Sequence, residues 1–274
     1  MSKYRQAHGW SDFKRIAEYQ NFVCRPAQAC ALNALHQEEL VINADGAWTV
    51  SDKPDWVTLS KTSGNGKTSL ALTFQQLSKG QGNRVGTVTF EMDGYTTTCE
   101  VRQYDYQYDE DYCLTLQEHT SGRGIDIVFV GDGWDGESIS DGSYLELIEQ
   151  QTECFFAIEP YRSMRSYFNV YVTFPLSQEK GVNTMYTYVN NRFGTLQGFS
   201  SLLSVAQTEY TSTQLFIETD EVQQYVLDKT PIVQDNLWRT LVIAVPNSTE
   251  YEGNTVFNES GLAISICPPS EQPY

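Results

Sequence analysis

Short runs in which apolar or β-branched residues alternate with polar ones follow one another between residues 39 and 104. This period of two is typical of half-buried strands. The runs are Leu40–Ile42, Trp48–Val50, Trp56–Leu59, Leu70–Phe74, Gly86–Phe90 and Thr96–Val101. Turn-forming residues separate them, and Asp93-Gly94 is a strong signal for a two-residue hairpin. Six or seven short strands within about 65 residues predict a small antiparallel β-sandwich.

The pattern changes after Gly124, where longer apolar strands alternate with helical stripes. One stripe, from Tyr144 to Phe156, has the period of an amphipathic helix and ends before Pro160. A second helix opens at Asp220-Glu221, with its acids at the positive end of the helix dipole. The strands are Ile125–Val130, Phe168–Phe174, Thr240–Val245 and Gly261–Cys267. This order predicts an α/β domain with a mixed, partly parallel sheet.

Four segments follow from these patterns. Residues 1–38 form an N-terminal extension with a short helix over 10–23, capped by Ser11, and residues 24–38 show no clear period. Residues 39–104 are the β-sandwich and 125–274 the α/β domain, in which 176–215 is mostly irregular. Between them, residues 105–124 are acidic and begin with a Tyr-rich stretch. We interpret this segment as a solvated linker; sulfated tyrosines or an interaction strip are the alternatives.

Charge divides the chain near residue 105. Lys plus Arg is 18 and Asp plus Glu is 35, a net charge of −17. Residues 106–274 hold seven basic and 24 acidic residues, whereas the net charge of residues 1–105 is zero. A field of this sign repels phosphate backbones, so nucleic acid is not an expected partner. No run of 18 apolar residues predicts a transmembrane segment, and Met1–His8 lacks the apolar stretch of a signal peptide.

Residues that carry metal or acid–base chemistry are scarce. The three histidines, His8, His36 and His119, have no His partner four residues away, so no H-E-x-x-H helix exists. The six cysteines include no C-x-x-C pair, and buried free thiols with at most one bridge are the expectation. The sequence therefore predicts no metal site and no catalytic residue in this chain.

Gly131-Asp132-Gly133-Trp134 is the sharpest local feature, because it follows a buried strand of the predicted α/β sheet. Ligands bind at such carboxyl ends, and glycines permit close approach of the backbone. Asp132 could bind a cation, cap the next helix or orient a substrate, but a structural turn is the favoured interpretation. Trp48 and Trp56 could stack on sugars; since both lie in strand-like runs, we expect core packing instead.

Residues 39–104 resemble a BACON domain. The resemblance is carried by Ala47-Trp48-Thr49-Val50, Pro54-Asp55-Trp56-Val57, a Gly-Asn-Gly turn, residues 83–90 and the closing residues 99–103. It implies an immunoglobulin-like sandwich of a kind found beside bacterial extracellular glycosidases and proteases. It also implies an extracellular or cell-surface location and glycan contact by the sandwich.

Residues 125–274 resemble the N-terminal part of the catalytic region of IgA-peptidase-type bacterial zinc metallopeptidases. The matching segments are residues 126–133, 155–161, 167–171, 245–249 and 261–268. The resemblance implies a zinc endopeptidase whose H-E-x-x-H-type motif follows the last strand, whereas this sequence stops at Tyr274. Zn²⁺ is thus the cofactor of the full-length family, and we expect this chain to bind none and to be inactive alone.

By analogy with zinc proteases, the strand Gly261–Cys267 would be an edge that pairs with extended substrate. The candidates for a substrate cleft are Asp132, Gly133, Trp134, Gly261, Ala263 and Ser265. The first hypothesis is the N-terminal portion of a secreted or surface zinc metallopeptidase that acts on a protein or glycoprotein. The alternative is a non-catalytic protein that binds glycan or protein through the β-sandwich.

Overall fold

A computed structural model describes residues 21–184, 187–199, 211–249 and 253–269. The chain divides into two compact units. The first comprises Met1–Ala29, Gln37–Gln75 and Val85–Val101, and the second Cys30–His36, Gln76–Arg84 and Arg102–Tyr274. Most of the predicted helix over 10–23 lies outside the described residues, and its last residues belong to a strand instead, since Phe22 opens β1.

Nine strands form the first two sheets. They are β1 (Phe22–Arg25), β2 (Gln28–Ala31), β3 (His36–Ala44), β4 (Ala47–Asp52), β5 (Val57–Leu59), β6 (Ser63–Asn65), β7 (Thr68–Phe74), β8 (Arg84–Met92) and β9 (Tyr95–Gln103). One sheet has the order β1-β3-β7-β5 and the other β2-β9-β8-β4-β6. All six predicted runs are strands, whereas β1 and β2 arise from residues that showed no strand pattern.

Local sequence explains these strands well. In β7, Leu70, Leu72 and Phe74 are buried while the residues between them are partly exposed, as a period of two requires. Asp93 and Gly94 both have positive φ (49° and 80°), the geometry of a type I′ turn, and they join the neighbouring strands β8 and β9. The Asp93-Gly94 hairpin is therefore confirmed.

The second unit contains a six-stranded mixed sheet of order β10-β12-β11-β15-β17-β16. Its strands are β10 (Cys113–Gln117), β11 (Ile125–Asp132), β12 (Phe168–Thr173), β15 (Thr240–Pro246), β16 (Asn254–Phe257) and β17 (Ala263–Ile266). The pairs β11–β12, β11–β15 and β15–β17 are parallel, and β10 and β16 are antiparallel edges. A separate pair is formed by β13 (Leu196–Phe199) and β14 (Thr211–Phe216). The predicted mixed, partly parallel sheet is thus present.

Helices cover both faces of this sheet. They are α1 (Gly136–Ser140), α2 (Ser143–Ala157), α3 (Tyr161–Met164) and α4 (Thr219–Lys229), with 3₁₀ turns at Arg165–Tyr167 and Gln234–Arg239. Ile127 and Phe129 of β11 lie in one apolar cluster with residues of α2, whereas Val128 and Val130 lie in another with residues of α4. Because successive side chains of a strand point to opposite faces, α2 and α4 pack on opposite sides.

Residues 105–124 differ from the predicted solvated linker. They contain β10, and the rings of Tyr106 and Tyr108 pack against the α2-side cluster. Tyr108 stacks on Phe174 at a centroid separation of 4.9 Å. Tyr106 and Tyr108 are partly buried, whereas Tyr112 is 45% exposed. The acidic residues of the segment are why its composition suggested a linker.

Two elements go beyond the sequence prediction. The region 176–215, predicted as mostly irregular, contains β13 and the start of β14, and β16 forms where no element was predicted. In the described part of the chain, no helix is both long enough and apolar enough to span a membrane.

Candidate functional site

Asp132 ends β11 and its side chain is fully buried, with 0% exposure. Its Oδ1 accepts hydrogen bonds from the backbone N–H groups of Gly133 and Phe193, both at 3.0 Å. Its Oδ2 accepts from the backbone N–H of Thr195 at 2.9 Å. The Asp132 carboxylate therefore satisfies donors of a loop that lies 61 to 63 residues further along the chain, and that is a structural task.

Gly133 allows a second close contact at the same place. It has φ +71°, and a Cβ built on it would lie 2.2 Å from the carbonyl oxygen of Gly181. Its own carbonyl accepts from the Gly181 N–H at 3.0 Å, and its N–H also donates to Ser177 Oγ at 2.9 Å. Ser177 and Gly181 thus contact the end of β11 at a position where a side chain on residue 133 would clash with Gly181.

Trp134 continues this buried turn. Its indole Nε1–H donates to the carbonyl of Val245 at 2.8 Å, and its ring packs against Tyr144 at 5.2 Å between centroids. Asp135 then caps α1, because its carboxylate accepts from Ser138 N at 3.0 Å. Asp132, Gly133 and Trp134 therefore form a satisfied structural turn, the interpretation that the sequence favoured.

The last strand lies away from this turn. β15 separates β17 from β11, which places the two strands about 10 Å apart. β17 also pairs on both sides, with β15 and β16, so the expectation that it is an edge strand is wrong. Ser265 exchanges a hydrogen bond with Thr255 of β16 at 2.8 Å, and Gly261 lies in the turn before β17. The structure does not bring Gly261, Ala263 and Ser265 together with Asp132.

The two described histidines are engaged in separate networks, and His8 lies outside the described residues. His36 Nδ1 lies 2.6 Å from Glu110 Oε1. His119 Nδ1 lies 2.9 Å from Asn169 Oδ1, and Asn169 Nδ2 donates to Asp126 at 2.8 Å. Since the carboxylate can only accept, the Asn169 oxygen must face His119, and the neutral ring therefore carries its proton on Nδ1.

The peptidase resemblance implies a zinc ion, so the described side chains were compared with the ligand set that a catalytic zinc requires. A catalytic zinc takes three protein ligands and keeps one position open. Within the described ranges, no three His, Cys, Asp or Glu side chains come together in a group that could hold a metal ion. The described residues therefore do not fit a catalytic zinc.

The first unit offers a different kind of surface. Trp48 is buried, with its ring edge-on to Phe90 at 5.6 Å, whereas Trp56 is half-buried beside Phe74. Core packing is therefore right for Trp48. Tyr95, which follows the Asp93-Gly94 turn, is 52% exposed and is an aromatic ring open to a ligand. The position of Tyr95 directly after a predicted hairpin turn is the sequence signal from which an exposed ring could have been predicted.

Comparison with known families finds one match. Residues 46–103 match the BACON family, described as "Putative binding domain, N-terminal". This match confirms the BACON resemblance, while no comparison supports the peptidase resemblance of residues 125–274. No curated protein matches the chain.

Two of the similar solved structures are glycoside hydrolases, and both are distant. A GH5 xyloglucanase of Bacteroides ovatus, in complex with an XXXG heptasaccharide, has 14% identity and TM-score 0.30 over 83% of this chain. A family 123 glycoside hydrolase of Clostridium perfringens has 10% identity and TM-score 0.26 over 88% of this chain. The chain covers 45% and 48% of these two enzymes, which is less than half of each. Likenesses this weak support no argument about fold or activity.

Proposed function

We propose that this chain binds glycans without catalysing a reaction, through residues 46–103, in an extracellular or cell-surface setting. The match of these residues to the BACON family, a family of binding domains, carries the proposal. BACON domains occur in extracellular or surface proteins, and this supports the proposed location. In this proposal, the sheets of β1–β9 form an immunoglobulin-like sandwich that presents the binding surface.

One exposed aromatic side chain of this region suggests where a sugar would bind. Sugar rings stack their C–H faces on aromatic rings, and Tyr also offers a hydroxyl that can donate or accept a hydrogen bond. Tyr95 is the candidate platform because its ring is half-exposed and stands at the start of β9. The flanking two-residue turn holds its backbone in one conformation, which lowers the entropic cost of binding.

Binding of the full chain to immobilised mucin tests the proposal. We expect saturable binding to intact mucin, weak binding to enzymatically deglycosylated mucin, and about tenfold weaker binding by Tyr95→Ala. Val85→Ala is the matched control, because Val85 is an exposed apolar residue of the preceding strand. Equal binding to both forms of mucin would instead indicate recognition of protein, and no binding above background would refute the proposal.

The peptidase hypothesis for residues 125–274 stays a prediction. The ordered segments of the resemblance and the mixed sheet are compatible with it, whereas the described residues do not fit a zinc site. We expect the chain to show no peptidase activity in the presence of zinc. Turnover that a chelator abolishes would overturn that expectation, and a His-Glu motif encoded directly downstream would revive the hypothesis for a longer protein.

A further inference from the structure

Two buried cysteines of the first unit lie on strands of different sheets. Cys24 is in β1, an edge of the four-stranded sheet, and is 2% exposed. Cys99 is in β9, in the five-stranded sheet, and is 0% exposed. No sequence motif links them, because 74 residues separate the two positions.

Hydrogen bonds on both sides hold the two segments together. The backbone N–H of Cys24 donates to Thr97 Oγ1 at 3.0 Å, two residues before Cys99 in β9. The N–H of Glu100, directly after Cys99, donates to the carbonyl of Ala27 at 2.9 Å. Hydrogen bonds made at or next to each cysteine therefore hold the segments that carry Cys24 and Cys99 side by side.

The two cysteine side chains are buried neighbours. Interaction with Cys24 and burial both raise the pKa of Cys99 above its usual value. Each sulfur also lies near a local carbonyl, Cys24 Sγ at 3.8 Å from Pro26 O and Cys99 Sγ at 3.6 Å from Glu100 O. Because hydrogen bonds hold the two segments together next to both cysteines, these buried thiols are placed on strands from which a disulfide can form.

We propose that Cys24 and Cys99 form a disulfide that joins the two sheets when the chain folds in an oxidising compartment. The oxidant is a second disulfide, such as oxidised glutathione or a disulfide-exchange enzyme. One cysteine thiolate attacks it, forms a mixed disulfide and releases one thiol; the partner cysteine then displaces the second thiol. In total the two cysteines lose two protons and two electrons, and the oxidant becomes two thiols.

Burial decides when this reaction takes place. The attacking species is the thiolate, and the raised pKa of Cys99 makes its thiolate rare in the folded protein. The bond therefore forms while the strands are still assembling, and solvent reaches it poorly afterwards. Closing a loop of this length in the unfolded chain is expected to raise the unfolding temperature by about 10 °C or more.

The test refolds the full chain from denaturant with reduced and oxidised glutathione, traps the free thiols by alkylation, and then maps the peptides by mass spectrometry. We expect four alkylated cysteines and one linked peptide pair that contains Cys24 and Cys99. Unfolding temperature, measured with and without reductant, should differ by about 10 °C or more in the wild type and not in Cys24→Ser.

Cys154→Ser is the matched control, because Cys154 is an exposed thiol in α2. It should leave the linked peptide and the reductant-dependent shift unchanged. Six alkylated cysteines after refolding with oxidant, or a link between any other pair, would overturn the proposal. The mapping uses the wild-type chain, so the result does not depend on whether Cys24→Ser folds.

Discussion

The dipeptide Asp-Gly occurs five times in this protein, and two of the copies at strand ends have different roles. Asp93-Gly94 is an exposed two-residue turn in which both residues have positive φ and the strands on either side become neighbours. Asp132-Gly133 is buried, and its carboxylate and backbone are bonded to Phe193, Thr195 and Gly181.

The difference between the two Asp-Gly pairs shows which roles of a short motif can be predicted from the sequence alone. A hairpin turn depends on the residues in it, so Asp93-Gly94 was predictable from the sequence. The role of Asp132 depends on donors 61 and 63 residues away, which no local pattern reveals. Ligands of α/β sheets bind at the carboxyl ends of strands. In this protein the Asp132 carboxylate at such an end accepts hydrogen bonds from the backbone of the same chain instead.

The largest expected effect comes from adding a methyl group to each glycine of the comparison. Gly133→Ala would place Cβ 2.2 Å from the carbonyl oxygen of Gly181 at positive φ, so we expect a loss of about 4 kcal/mol or more. Gly94→Ala has positive φ but no atom within 4 Å of the new Cβ, and about 1 kcal/mol is expected. Urea unfolding followed by circular dichroism measures both, and equal losses would contradict the proposed difference between the two turns.

The second comparison replaces each aspartate by asparagine. Asp132→Asn puts an amide group beside the N–H donors that the carboxylate now satisfies, so we expect a loss of about 2–4 kcal/mol. Asp93→Asn should be within about 0.5 kcal/mol of the wild type, because asparagine tolerates this turn conformation.

Hydrogen exchange adds a local measurement to this pair. In Asp132→Asn the amides of Phe193 and Thr195 should lose protection, since they donate to the altered side chain. The exchange of the same amides in Asp93→Asn should equal that of the wild type. Unchanged protection in Asp132→Asn would mean that the carboxylate does not hold this loop.

A third aspartate, Asp105, has an expected effect between those of Asp132 and Asp93. The N–H of Gly82 and the amide of Asn33 donate to Asp105 and lower its pKa. A lowered pKa stabilises the folded protein above the ordinary Asp pKa of about 4, and this stabilisation is lost as pH falls through the folded value. Asp105→Asn should therefore cost below about 1 kcal/mol at pH 7, since Asp105 is partly solvated, and less near pH 2. An equal loss of unfolding free energy at both pH values would contradict a stabilising role for the Asp105 carboxylate.

The strands and the long helices were predictable because burial follows their own periods, as for Leu70, Leu72 and Phe74 in β7. β10 was missed because the preceding residues are acidic and rich in Tyr, although the alternation of Leu114 and Leu116 is a strand signal. The interior position of β17 could not be foreseen, since it depends on pairing with the short strand β16. Of the predicted site, hydrogen bonds support the structural role of Asp132. The substrate cleft with Gly261, Ala263 and Ser265 stays a prediction, and β15 lies between their strand and β11.

The central claim is that binding belongs to the first unit and that Asp132 has a structural role in the second. The direct test is the mucin-binding isotherm of three chains, wild type, Tyr95→Ala and Asp132→Asn, at a temperature where circular dichroism shows all three folded. We predict about tenfold weaker binding for Tyr95→Ala and an unchanged isotherm for Asp132→Asn. Loss of binding in Asp132→Asn with Tyr95→Ala unaffected would contradict the claim and place the ligand at the end of β11.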